Sequence, residues 1–274
     1  MISVAISSCP NDTFMFWAML FGKVDCFGLK FDVELYDIER LNLLAVEQKF
    51  DMVKISYANY PNVSQFYQLL TAGSALGFGN GPLLVSKRKI YPDEIPNLRI
   101  AIPGMYTTAN MLLTIAYPTA TNKMEYLFSE IEDVVLSDET DAGLLIHETR
   151  FFYQQKGLYK ILDLGEYWEK TTSLPLPLGG IAIKRELSQN VKQKLNTILK
   201  ESVKYALQNP NKPEQFVKQH AQTTDIDICR KHINLYVNNF SAELGDDGKK
   251  AVFTLFEKTS KYFPKITEPI FNII

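Results

Sequence analysis

The chain lacks any apolar run near the roughly 18 residues that a membrane-spanning helix requires, so a membrane-embedded protein is excluded as an expectation. It also lacks a lysine and arginine block. With 29 basic and 31 acidic residues the formal charge is -2, and nothing supplies the phosphate-neutralising field that nucleic-acid binding needs. Cysteine is scarce and odd in number, with Cys9, Cys26 and Cys229 far apart. That spacing gives neither a disulfide framework nor a C-x-x-C pair, and it suits reduced thiols in a cytoplasmic protein. The N-terminal segment has no charged n-region and no long apolar stretch, so no export signal is expected and the chain is read as cytoplasmic.

Histidine is equally sparse. His147, His220 and His232 show no i, i+4 or short-loop pairing, which argues against a zinc site. The glycines of 76–81 precede a strand instead of opening a helix, so they are not a dinucleotide fingerprint. No glycine-flanked serine makes a nucleophile elbow. A zinc enzyme, a dinucleotide-binding protein and a triad hydrolase therefore gain no support, and neither a nucleic-acid nor a membrane partner is expected.

What is present is an ordinary globular composition, 46% hydrophobic and 22% charged, far from the signature of disorder. At 274 residues two lobes are expected. Strand-like runs at 2–7, 30–36 and 52–56 alternate with helical segments at 13–21 and 37–48, which implies a largely parallel, helix-covered sheet. A glycine-rich passage at 73–81 reads as a first crossing, and Leu174 to Gly180 as the return. Between them, strands are expected at 98–102, 133–136 and 142–147. The apolar stripe Val191, Leu195, Ile198, Leu199, Val203 and Ala206 predicts a long amphipathic helix over 188–209, with further helices at 214–220, 226–236 and 248–262. The predicted fold is α/β, a two-lobed periplasmic-binding-protein-like fold of type II, with mixed sheets flanked by helices and an interlobe cleft. Residues 1–86 and 181–274 form lobe 1; residues 87–180 form lobe 2.

His147 ends the apolar run Ala142 to Ile146 and is followed by Glu148, Thr149 and Arg150. Ligands of open α/β sheets bind at the carboxyl ends of strands, and an imidazole there can take a proton near neutral pH, with Glu148 or a backbone carbonyl fixing its tautomer. A structural histidine is the alternative. His220 and His232 lie among Lys, Gln and Arg and are expected on the surface. Pro10, Asn11 and Asp12 suit a helix N-terminus that could receive a carboxylate. Thr107 and Thr108 open another helix, as ligand contacts or as a plain cap. Ser56, at the end of the 52–56 strand with Lys54 and Ile55, has the same two readings.

Seven ordered segments then carry a resemblance. They are Ser8-Cys9-Pro10-Asn11-Asp12-Thr13-Phe14, Lys54-Ile55-Ser56-Tyr57, Gly73-Ser74-Ala75-Leu76-Gly77 with Gly81-Pro82-Leu83, Pro103-Gly104 with Thr107-Thr108-Ala109, Ile146-His147-Glu148-Thr149-Arg150-Phe151, Leu174-Pro175-Leu176-Pro177-Leu178-Gly179 and Tyr236-Val237-Asn238. Together they resemble the 1,4-dihydroxy-6-naphthoate synthases of the futalosine route to menaquinone. The resemblance implies a lyase that cleaves cyclic dehypoxanthinylfutalosinate to 1,4-dihydroxy-6-naphthoate and a three-carbon fragment, without metal or organic cofactor. It puts the proton-accepting histidine at His147 and substrate contacts at Lys54, Ile55, Ser56, Thr107 and Thr108, with supporting roles for Asn11, Asp12, Glu148 and Arg150. Ser8 replaces a common proline of the family and Thr149 a common serine. The alternatives are a chorismate dehydratase-like lyase of the same pathway and a non-catalytic solute-binding protein for a small anion.

Overall fold

A computed structural model describes residues 1–223, 225–262 and 264–271. In chain order the elements are β1 (Ile2–Ser7), α1 (Pro10–Leu20), β2 (Phe31–Tyr36), α2 (Ile38–Val46), β3 (Met52–Ser56), α3 (Tyr60–Val63), β4 (Tyr67–Leu69), β5 (Ala75–Gly77), β6 (Leu83–Ser86), β7 (Ile100–Ile102), α4 (Thr108–Ala116), β8 (Lys123–Glu125), α5 (Ile131–Leu136), β9 (Ala142–Leu145), β10 (Tyr159–Asp163), α6 (Leu164–Thr172), β11 (Leu176–Lys184), α7 (Gln189–Gln208), α8 (Glu214–His220), α9 (Ile226–Tyr236), α10 (Asn239–Ala242) and α11 (Gly245–Thr259). Among the described residues no helix is long and apolar enough to cross a membrane.

The chain folds as two compact units, one of Met1–Gly77 with Pro177–Ile274 and one of Phe78–Leu176; residues 272–274, at the end of the expected first lobe, lie outside the described residues. The first crossing therefore falls at 77/78, ahead of the expected 86/87, and the return at 176/177, ahead of 180/181. The reason for the first shift is β6. Its residues 83–86 pair along their whole length with Ala142–Leu145 of β9, so the strand belongs to the second unit's sheet.

The first unit is built on a six-stranded sheet in the order β2-β1-β3-β11-β4, with β5 also on β11. β1 runs parallel to β2 and β3, whereas β11 is antiparallel to β3 and β4. The largely parallel sheet expected from the βα alternation is thus mixed, because β11 returns from the other unit and enters in the opposite sense. Its core joins Val4, Ile6, Met52, Ile181 and Ile183 of the sheet to Phe14, Phe16 and Met19 of α1 and Leu195, Ile198, Leu199 and Val203 of α7. The predicted amphipathic stripe of α7 is the face that is buried.

The second unit has five strands ordered β10-β6-β9-β7-β8. β7 is parallel to β8 and β9, and β6 is antiparallel to β9 and β10. The run Asp133 to Leu136, expected as a strand, is the end of α5. Ile131 and Val135 stand one helical turn apart and both press on Gly143 of β9. A Cβ there would lie 2.5 Å from Ile131 Cγ2 and 2.9 Å from Val135 Cγ2. Tertiary packing decides the conformation over local propensity. A second close approach, Gly81 against Gly165, seats the start of α6: a Cβ on Gly81 would meet the Gly165 nitrogen at 2.2 Å.

Candidate active site

In each unit the sequence-predicted residues leave from the carboxyl ends of neighbouring parallel strands. In the first unit β1 and β3 are such a pair, with Val4 opposite Met52 and Ala5 opposite Val53. β1 leads to the loop and helix that carry Asn11 and Asp12, and β3 carries Lys54, Ile55 and Ser56. In the second unit β7 and β9 are such a pair, Ile100 opposite Ala142 and Ala101 opposite Gly143. β7 leads to Thr107 and Thr108, and β9 leads to His147. Carboxyl ends of parallel strands are where α/β sheets present groups to ligands.

Asp12 and Lys54 form a buried ion pair, Nζ to Oδ1 2.8 Å, their side chains 0% and 6% exposed. The Asp12 carboxylate also accepts from the Ser7 hydroxyl at 2.7 Å, the Ser7 amide at 3.3 Å and Asn11 Nδ2 at 2.8 Å. Asp12 sits in the first turn of α1, where Pro10 opens the helix. The positive end of α1 and the Lys54 ammonium are therefore both answered by the protein's own carboxylate. Ser56 is engaged with Asn42 of α2: its amide donates to Asn42 Oδ1 at 2.9 Å and its hydroxyl accepts from Asn42 Nδ2 at 3.1 Å. Ile55 is fully buried, and its carbonyl would lie 2.7 Å from a Cβ on Gly179 of β11, so glycine is what lets the two strands close here.

His232 belongs to this cluster although its polar context predicts a surface position. It is fully buried on α9, and its Nε2 lies 2.9 Å from Asn11 Oδ1. The signal that finds it is spacing. Cys229, His232, Ile233 and Tyr236 are the buried residues of α9, a helical i, i+3, i+4, i+7 stripe in which histidine occupies a core position. His220 is half-buried at the end of α8, its ring 4.6 Å from that of Phe216.

In the second unit β9 stops at Leu145, two residues short of the expected strand end, and His147–Phe151 form a 3-10 turn. His147 enters it with φ +57°, in the left-handed region. Non-glycine residues are uncommon there and cluster at functional positions. The imidazole is half-buried and packs edge-on to Phe128, ring centres 4.7 Å apart. Thr149 Oγ1 donates to the Ile146 carbonyl at 2.7 Å and ties the turn back onto the strand; a serine could do the same, so the departure from the family pattern keeps this bond. Glu148 is buried, and loss of hydration raises its carboxyl above the usual range. The Arg150 side chain is 10% exposed and reaches Asp163 only at 3.8 Å.

Thr107 caps α4, accepting from the Asn110 amide at 3.2 Å while donating to the Gly104 carbonyl at 2.8 Å. Both readings of this segment remain compatible, since the capped turn presents the buried Thr108 as the first residue of the helix. Asn110 braces the loop further through Nδ2 to the Met105 carbonyl, 2.9 Å, and receives Lys123 Nζ on Oδ1 at 2.8 Å. Lys123, on no sequence motif, has only neutral hydrogen-bond partners among the described residues, the other being Thr114 Oγ1 at 2.7 Å, and burial brings its amine down to about 8.

Two α/β units joined by two crossings, with polar residues gathered at the carboxyl ends of parallel strands, define a periplasmic-binding-protein-like fold. Solved structures agree. A Candida albicans gene product described as exhibiting the generic periplasmic binding protein structural fold matches with a TM-score of 0.65 at 10% identity, covering 99% of this chain and 98% of that one. A protein from Archaeoglobus fulgidus matches with a TM-score of 0.89 at 35% identity, over 95% of this chain and 97% of that one. The family model described as menaquinone biosynthesis matches residues 2–261, and the chain belongs to that family. Among its relatives are proteins named 1,4-dihydroxy-6-naphtoate synthase from Thermus thermophilus, 38% identical over 93% of this chain and 92% of the relative, and from Streptomyces coelicolor, 37% identical over 94% and 93%.

Proposed function

We propose that this chain is a carbon-carbon lyase that converts cyclic dehypoxanthinylfutalosinate to 1,4-dihydroxy-6-naphthoate, with His147 as the proton acceptor. The reaction is supported by two relatives of that name, similar over nearly the full length of both chains. The observation that carries His147 is its position: a half-buried imidazole held in a left-handed conformation immediately beyond β9, at the carboxyl edge of a parallel strand pair. A left-handed conformation at such a place supports a functional reading of the side chain.

The neutral imidazole removes a proton from the substrate, a carbon-carbon bond breaks, and aromatisation of the new ring supplies much of the driving force. Lys54, Ile55, Ser56, Thr107 and Thr108 are the substrate-contacting segments in this reading. The Ser56 hydroxyl accepts from Asn42 and keeps its own hydrogen to donate. Asn11, Asp12, Glu148 and Arg150 are the supporting residues in this reading. The three free cysteines fit a reducing compartment, and we place the enzyme in the cytoplasm, acting on a small molecule with no nucleic-acid or membrane partner.

The test is to incubate the purified protein with cyclic dehypoxanthinylfutalosinate and follow 1,4-dihydroxy-6-naphthoate by chromatography. His147→Asn is the informative variant beside His147→Ala, because asparagine tolerates the left-handed conformation. Both are expected to lower kcat by at least about 10²-fold, the low end for a lost general base, with unchanged circular dichroism. Full activity in a folded variant removes His147 from the mechanism; a wild type that binds substrate and makes no product removes the lyase assignment.

A further inference from the structure

The product of the proposed reaction is a naphthoate, so the substrate carries an aromatic carboxylate that stays ionised at neutral pH and needs hydrogen-bond donors, a cation above all, wherever it is withdrawn from water. Two cations stand among the candidate residues, and their surroundings differ. Lys54 is 2.8 Å from Asp12, a carboxylate wholly committed to it and to neighbouring donors. Its charge is already matched.

Arg150 is not matched in this way. Its side chain is nine-tenths buried, and the nearest carboxylate, Asp163 Oδ2, lies 3.8 Å from Nη2, beyond hydrogen-bonding reach. Asp163 is held where it is: its Oδ1 caps α6, accepting from the Gly165 amide at 2.8 Å and the Glu166 amide at 3.1 Å. The Gly81–Gly165 approach fixes that cap from the other side. Arg150 Nη1 is buried, and no acceptor among the described residues reaches it. A buried guanidinium donor left in this state is costly unless an acceptor arrives.

We propose that Arg150 receives the aromatic carboxylate of the substrate. The inference rests on the function proposed above and adds the group that orients the substrate for it. The guanidinium fork suits a carboxylate, offering two parallel donors where an ammonium offers a point charge. His147 and Arg150 stand three residues apart in one short segment, the 3-10 turn His147–Phe151. One short element then supplies both the base and the anchor. A carboxylate gripped at Arg150 fixes the distance from the acid group of the substrate to the proton that His147 removes.

The experiment uses the full chain and two probes, 1,4-dihydroxy-6-naphthoate and its carboxamide, with binding followed by titration calorimetry beside turnover of cyclic dehypoxanthinylfutalosinate. Wild type is expected to prefer the acid by at least about tenfold, the scale of one charge-assisted hydrogen bond. Arg150→Gln is expected to bind acid and amide alike, at the wild-type affinity for the amide, with its turnover loss mainly in KM. Arg150→Lys keeps the charge without the fork and is expected to fall between the two, and it carries the test if the glutamine variant does not fold. Undiminished preference for the acid in folded variants, with wild type active, overturns the role of Arg150 and leaves the lyase assignment standing. A wild type that neither turns over the substrate nor binds the naphthoate removes both.

Discussion

His232 donates from Nε2 to Asn11 Oδ1 across 2.9 Å, and the direction follows from a third residue. Asn11 Nδ2 donates to the Asp12 carboxylate at 2.8 Å. A carboxylate only accepts, so the amide oxygen is the end facing the imidazole, and Nε2 must carry the hydrogen. A chain of bonds thus runs from α9 through α1 to Lys54 on β3. Nitrogen-15 NMR of the labelled imidazole should find a hydrogen on Nε2 of His232. His232→Phe should lose about 1–3 kcal/mol by leaving Asn11 Oδ1 without its donor, and a variant as stable as wild type in urea unfolding would rule the bond unimportant.

Breaking the Lys54–Asp12 pair should be more damaging than breaking the histidine bond. Removal of one partner strands a buried charge, at a cost of about 3–5 kcal/mol. Lys54→Met alone is expected to show that loss in urea unfolding, and the double variant Lys54→Met, Asp12→Leu to recover part of it. Equal stability of Lys54→Met and wild type would show that the pair is dispensable.

Gly143→Ala tests the packing that sets the end of β9. The added Cβ would be 2.5 Å from Ile131 Cγ2, so α5 has to move, at about 1–3 kcal/mol. Turnover should fall as well, because β9 delivers His147 four residues on. Ile131→Ala in the same chain should restore part of the stability, measured by thermal unfolding. No change on the first substitution would mean that α5 yields freely.

Lys123 should titrate far below an exposed lysine. Burial brings the folded-state amine to about 8, against about 10.4 in an unfolded chain. Because the folded value is the lower one, the unfolded chain binds more protons between these two values. This group's contribution to stability therefore rises with pH from about 8 to about 10.4, and below that window its burial is a constant penalty. NMR of a carbon-13-methylated Lys123 amine should give a midpoint near 8; a midpoint above about 10 would show the amine to be hydrated.

The sequence by itself determined the α/β class, the two-lobed organisation and the elements whose patterns are local. α7 is legible because its apolar stripe is the buried face, and α4 because Thr107 is a residue type that caps helices. His147 stands out in the sequence as a candidate by its place after an apolar run and by the ordered motifs around it, and its role is what the His147→Asn variant tests. Tertiary structure alone decided what depends on residues distant in the chain. β6 joins the second unit because β9 and β10 pair with it, and 133–136 is helical because Ile131 and Val135 pack on Gly143. His232 is a core residue because Asn11, 221 positions away, accepts its hydrogen. Lys54 is hydrogen-bonded to its carboxylate at 2.8 Å whereas Arg150 meets Asp163 only at 3.8 Å, a difference between two cations that no local pattern contains. Burial and partner geometry set the free energy of a charged or polar side chain, and both come into being only when remote segments meet.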